Sequence, residues 1–76
     1  MAKAHNSLTD RFAANFGAER AKRKLSQAAF GGLVELTPAY VHMLEHAERS
    51  PSLTMIDHIA ARLEIADPAT LLKEVK

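Results

Sequence analysis

Two cap-then-proline pairs, Thr37-Pro38 and Asp67-Pro68, constrain this chain more than any other feature. Threonine and aspartate accept hydrogen bonds from the free amides of a helix's first turn, and proline suits the first helical position because its missing N–H would be unpaired there anyway. Each pair marks a helix start, and neither proline can sit inside a helix already running. Arg49-Ser50-Pro51 adds a break, and Ser52 a further cap. A chain punctuated this often forms only short helices, which persist in water only when packed on one another.

Between these marks alanine, leucine and long charged side chains dominate, the better helix formers, and alternating β-branched runs are absent. The reading is all-α with five helices. The first begins near Thr9 or Asp10, either able to cap, and sets Leu8, Phe12 and Phe16 on one buried stripe. It ends near Lys24, where Lys22, Arg23 and Lys24 suit the negative end of the helix dipole. Ser26 caps a second helix through Gln27, Ala28, Ala29, Phe30 and Leu33, with Gly31 and Gly32 weakening its middle. The third runs from Pro38 to about His46, Val41 and Leu44 inward, Ala39, His42, Met43 and His46 outward. The fourth follows Ser52, with Leu53, Ile56, Ile59, Ala60 and Leu63 at core spacing, and a last two-turn helix carries Leu71, Leu72 and Val75. Residues 1–7 read as a flexible N-terminal arm ahead of a single domain, 8–76.

Size makes packing decisive. Seventy-six residues, 47% hydrophobic and 25% charged, suit one small domain, and such a domain buries only about 60% of its unfolded surface. With no cysteine, disulfides and a Cys-based zinc site are excluded as supports, so a second copy of the chain is the expected source of further burial. No apolar stretch approaches the roughly 20 residues that span a bilayer, and Met1 to Ser7 is too polar for a signal-peptide core. The expectation is a soluble, cytoplasmic protein with no membrane partner. The net charge of +1 hides an asymmetry: six basic side chains face two acidic ones up to Ser26, and four face seven beyond it. That pattern fits an anionic partner or a solvated helix end.

Little catalytic chemistry is visible. His42-Met43-Leu44-Glu45-His46 spells H-x-x-E-H, the pattern of inverted zinc proteases, whose histidines one turn apart hold the metal. A catalytic zinc also needs a third ligand from another element and a substrate cleft, for which so small a chain has little room. No phosphate-cradling glycine loop occurs, and no serine has a plausible histidine base nearby. His5 and His58 read as surface residues. No enzyme activity, metal or cofactor is expected.

The helices starting at Ser26 and Thr37, with a turn around Glu35, have helix-turn-helix spacing. Arg20, then Lys24-Leu25-Ser26-Gln27, then Leu36-Thr37-Pro38-Ala39-Tyr40-Val41-His42-Met43-Leu44-Glu45 resemble the Cro and phage-repressor type helix-turn-helix family. Arg49-Ser50-Pro51-Ser52-Leu53, Ile56, Ile59-Ala60 and Leu63 continue the likeness, which runs without a gap from Phe16 to Leu72. The resemblance implies a compact, five-helix, lambda-repressor-like DNA-binding domain. It implies that Gln27 reaches a phosphate or base edge, that Thr37 caps the third helix and touches the DNA backbone, and that Pro38, Ala39, His42 and Met43 occupy base-reading positions. Tyr40, His46 and Arg49 would then lie towards phosphates, and Arg20 would pair with Glu45 to lock the first helix to the third.

The chain departs from the family pattern at Glu35 and Ala47, where glycines are common in the turns, at Gly31, where alanine is usual, at Glu19 for leucine, and at the acidic Glu48. The base-reading row is poor in donors: Pro38, Ala39 and Met43 have none, so His42 is its only strong one, with apolar contact to thymine methyls also open. The expected function is a regulator that binds double-stranded DNA as a homodimer through Ile65, Leu72 and Val75, reading a palindromic operator. The alternative is a protein-interaction module, such as an antitoxin, with a toxin or polymerase as partner. Reliance on His42 and His46 for positive charge predicts DNA binding that strengthens as pH falls through the histidine range near 6.5.

Overall fold

The computed structural model describes residues 7–74. Within them the chain forms four α-helices, α1 (Leu8–Arg23), α2 (Gln27–Val34), α3 (Pro38–Glu45) and α4 (Leu53–Arg62), and a 3₁₀ helix, Pro68–Leu72. Every start is a side-chain cap. Ser26, Thr37 and Ser52 each accept the amide three residues on, at 3.0 to 3.1 Å, as the sequence predicts. Asp67 accepts the Ala69 amide at 3.1 Å.

Four expectations need correction. Helix α1 is capped by Ser7, whose hydroxyl accepts the Asp10 amide at 3.1 Å. It therefore starts ahead of Thr9, and Asp10 sits in the first turn where its charge suits the dipole. Leu8, placed on the buried stripe, is 59% exposed, and Leu53, placed in the core, is 78% exposed, since each is the first residue of its helix and overhangs the end of the packed region. The fifth helix is not α-helical: the bonds Thr70 N–H to Asp67 and Lys73 N–H to Thr70 span three residues, and five residues are too few to gain from a wider turn. Its end is held from outside by the Asn15 amide, which donates to the carbonyls of Leu71 at 3.1 Å and Lys73 at 3.0 Å. Val75 lies outside the described residues, as do His5 and residues 1–6 of the arm.

The core is one cluster. Phe12 and Phe16 stack with ring centroids 5.1 Å apart, Phe30 lies 5.0 Å from Phe16, and Val34, Val41, Leu44, Ile56, Ile59, Ala60, Leu63 and Leu71 close around them. Helix α3 packs on both α1 and α2, and α4 packs on α2 and the 3₁₀ helix. Two α4 side chains also cap α2: His58 Nε2 lies 2.9 Å from the Val34 carbonyl and Arg62 Nε donates to that of Leu33 at 2.9 Å. His58 is thus tied into the fold rather than a free surface histidine.

All four α-helices give way to a left-handed residue, Lys24, Glu35, Ala47 or Glu64, with φ between 57° and 64°, and none is glycine. Each such residue costs about 1 kcal/mol. In return the next amide reaches back five residues: Leu25 to Arg20, Leu36 to Gly31, Glu48 to Met43 and Ile65 to Ala60. Leu25, Leu36 and Ile65 then pack half-buried against the core. Ile65, expected from sequence at a dimer surface, packs half-buried at the end of α4.

Gly31 has a specific reason to lack a side chain. A Cβ there would collide with the Leu36 carbonyl oxygen, whereas at Gly32 it would meet open space. Gly31→Ala should therefore destabilise the fold by about 2 kcal/mol and Gly32→Ala should stabilise it by roughly 0.5 to 1 kcal/mol, as read by urea denaturation. By the same method Ala47→Gly, at φ 57°, should add about 1 kcal/mol.

Candidate nucleic-acid interface

Helices α2 and α3 meet across the turn at Glu35 and Leu36, with α3 offering one face to the core and the other to solvent. Val41 and Leu44 are fully buried. Thr37, Pro38, Ala39, His42 and His46 are exposed, and Arg49 is exposed in the following loop. Gln27, Tyr40 and Met43 are half-buried, and Tyr40 packs against the core. The structure thus brings Gln27, at the start of α2, beside the outer row of α3, while Leu72 is half-buried against the core.

Arg20 holds this arrangement. Its Nε donates to Glu45 Oε2 at 2.6 Å, its Nη2 to Oε1 at 3.0 Å, and its Nη1 to the Leu25 carbonyl at 3.0 Å. One planar fork fixes α1, the α1–α2 turn and α3 together. The Glu45 side chain is only 8% exposed and that of Arg20 29%. Burial alone pushes the Glu45 carboxyl up, but the bonds from Arg20 and Gln27, with the charges of Arg20 and His46, outweigh it and hold the group below the ordinary carboxylate range. Glu19 is likewise held low: burial raises it, and the bonds from Arg23 and Lys22 more than offset this.

A polar chain continues outward from Glu45. Gln27 Nε2 donates to Glu45 Oε1 at 3.4 Å and lies 3.5 Å from His42 Nδ1. The His42 and His46 rings stack with centroids 4.0 Å apart and planes at 30°, and His46 Nδ1 lies 2.9 Å from the His42 carbonyl. No pattern in the sequence announces the link between Gln27 and His42, which are 15 positions apart on different helices. Glu45 is engaged by Arg20, and among the described residues no group of three or more His, Cys, Asp or Glu could hold a metal ion.

The basic cluster of α1 turns inward more than its sequence indicates. Arg23 Nη1 donates to Glu19, backbone and carboxylate, and its Nη2 to the Leu63 carbonyl at 3.3 Å. Lys22 pairs with Glu19 at 3.3 Å. Lys24, the left-handed residue ending α1, is exposed.

A capped, amphipathic eight-residue helix set on a second helix across a tight turn, its outer row exposed, defines a helix-turn-helix domain. A sequence model of the helix-turn-helix family matches residues 17–68, most of the chain. The protein belongs to this family, in its Cro and phage-repressor branch of DNA-binding transcription regulators. Comparisons with curated proteins and with solved structures gave no match. No described helix is long and apolar enough to cross a membrane.

Removing one partner of the central pair strands the other. Glu45→Gln should destabilise the domain by about 2 kcal/mol, less than for a fully buried pair because Arg20 keeps contact with water, lowering Tm by roughly 8 to 16 °C. Because the carboxyls of Glu45 and Glu19 are lowered on folding, their contribution is complete above the ordinary carboxylate value of about 4.3 and is lost as pH falls below it. Wild-type stability should drop on acidification through that window, and Glu45→Gln should flatten the drop.

Proposed function

We propose that this protein is a sequence-specific regulator of transcription, acting in the cytoplasm as a repressor or controller, that binds a palindromic operator as a homodimer. The observation that carries this reading is the exposed row Pro38, Ala39, His42 and His46 on a helix pinned from behind by the Arg20–Glu45 pair. Each copy sets α3 into a major groove, and a dimer places the two α3 helices about 34 Å apart, one turn of DNA. His42 and Met43 read base edges, Pro38 and Ala39 lie against thymine methyls, and Thr37, Tyr40 and Arg49 hold phosphates, with Gln27 at the edge of the groove.

Pairing of two copies rests on the chain's small size and on apolar side chains outside the core. Leu72 lies at the junction of two surface grooves, together with the exposed Leu53 and with Ile56. Leu53 stands beside these grooves, so a two-fold axis would let the Leu53 of each copy fill the hollow of the other, a self-complementary contact. Val75 would extend it. Equilibrium sedimentation should give twice the chain mass at tens of micromolar, and Leu53→Asp should give the single-chain mass without unfolding. A wild type that stays monomeric even on DNA would contradict the dimer.

A second reading has an observation in its favour. The outer row of α3 carries no lysine or arginine, which fits a protein-interaction module, an antitoxin for example, with weak or lost DNA binding. Salt separates the two. DNA binding predicts that log K falls linearly with log salt, by about 0.9 per phosphate neutralised. Arg49→Ala should weaken binding to all sequences and reduce that slope by roughly 1, and His42→Ala should relax sequence preference. A flat salt response in the wild type would favour the protein partner.

A further inference from the structure

The hydrogen-bond partners of the two stacked histidines of α3 differ in kind, and they favour opposite tautomers of the neutral rings. Glu45 is the origin of the polarity. Its carboxylate is fixed by Arg20 and can only accept hydrogen bonds. The Gln27 group 3.4 Å from Glu45 Oε1 must therefore be its NH2 rather than its oxygen, and the same NH2 lies 3.5 Å from His42 Nδ1. An amide hydrogen aimed at Nδ1 requires a lone pair there, so in neutral His42 the proton resides on Nε2. The bond is long, but it has only to tip a choice between two neutral forms of one ring.

His46 is set the other way. Its Nδ1 lies 2.9 Å from the His42 carbonyl oxygen, which only accepts, so Nδ1 carries the hydrogen and Nε2 the lone pair. With the centroids 4.0 Å apart, two adjacent exposed rings then show solvent a donor from His42 and an acceptor from His46. The charged side chain that reaches this pair, through Gln27 and directly, is Glu45 of α3, which is itself paired with Arg20 of α1. A neutral His46 has no hydrogen at Nε2 to give a phosphate.

We propose that Gln27 is a positioning residue that fixes the hydrogen-bond polarity of His42, so that the His42–His46 pair selects a G·C base pair with guanine on the His42 side. Guanine offers N7 and O6 as acceptors in the major groove, and its cytosine offers the N4 amino group as donor. The donor of His42 and the acceptor of His46 complement that edge, and a reversed C·G pair meets both with the wrong sign. The proposal rests on the reading of α3 as a DNA-recognition helix, and it moves His46 from a phosphate to a base edge. It also transmits the Arg20–Glu45 pair to the groove, through the amide of Gln27.

The test has two arms. Long-range ¹H–¹⁵N spectra of the free protein near pH 8, where imidazoles are largely neutral, roughly 1.5 units above their usual midpoint, should show His42 protonated at Nε2 and His46 at Nδ1. The opposite form at either ring would overturn the proposal. Gln27→Glu keeps the size but replaces the donor with a carboxylate, which loses the bond to Glu45 and can only accept from Nδ1, so His42 should move its proton to Nδ1 and lose its preference for guanine. Selection of bound fragments from random DNA should then show one G·C position per half-site in the wild type, and at least a tenfold weaker preference there in Gln27→Glu. An unchanged ring spectrum or an unchanged base preference in Gln27→Glu would overturn the proposal while leaving DNA binding intact. A wild type that retains no DNA at low salt would instead overturn the underlying reading, whatever the spectra show.

Discussion

The fork of Arg20 over Glu45 is the contact on which the rest of this domain depends. Helix α3 has eight residues, two turns, too few to persist alone in water, and its outer row must stay polar enough to meet solvent or a ligand. Its fully buried side chains are only Val41 and Leu44, with Tyr40 half-buried against the core. Arg20 adds a second, directional hold from α1 and at the same time closes the α1–α2 turn through the Leu25 carbonyl. An apolar pair of equal volume could match its stability, but would not fix the rotation of α3 about its own axis. That rotation decides which side chains form the outer row.

Backbone strain is the complement of this arrangement. Four left-handed residues without a glycine among them cost roughly 4 kcal/mol in sum, a large fraction of what a small domain has in hand. Each buys a sharp reversal that lets an eight- to sixteen-residue helix end and the next begin within a few positions. The turn at Glu35 shows the coupling best: the Leu36 amide returns to the Gly31 carbonyl at 2.8 Å, and only a glycine at 31 lets the backbone of Leu36 come so near. The glycine expected in the turn is thus displaced four positions upstream, into α2, where it serves close approach instead of a positive φ.

What the sequence made legible, and what it did not, follows from the range of each interaction. Ser26, Thr37-Pro38 and Ser52 mark their helices correctly because a cap acts across three residues. The inward positions Phe12, Phe16, Phe30, Val41, Leu44, Ile56, Ile59 and Leu63 follow from periodicity within one helix. Leu8 and Leu53 were misplaced because periodicity does not say where the neighbouring element stops. The contact of Ile65 with the end of α4 is not legible from periodicity because a helix's closing contact lies beyond its periodic part. The resemblance to the family marks Glu35 and Ala47 as positions where glycine is common, and both have positive φ, but nothing local singles out Lys24 or Glu64. The contacts of Gln27 with Glu45 and His42, and of Asn15 with the 3₁₀ helix, are set by tertiary packing alone and left no trace in spacing.

The same distinction changes the meaning of charge. The surplus of basic residues before Ser26 looks like an electrostatic footprint for an anionic partner, yet Arg20 is committed to Glu45, Arg23 to Glu19 and Leu63, and Lys22 to Glu19. Arg62, from the acidic part of the chain, is spent on the Leu33 carbonyl. Cations already engaged within the fold, Arg20 and Arg23 above all, give up existing bonds before they contact a phosphate, which reduces what they would add to DNA affinity. On the proposed reading, fewer phosphates would be neutralised than the count of basic residues implies, and non-specific affinity would be correspondingly lower. Discrimination, on that same reading, would come from polarity and shape at the base edges rather than from added charge, which would place the weight on His42 and its neighbours. Affinity would then come from joining two half-sites, where the second contact is made at a high effective concentration.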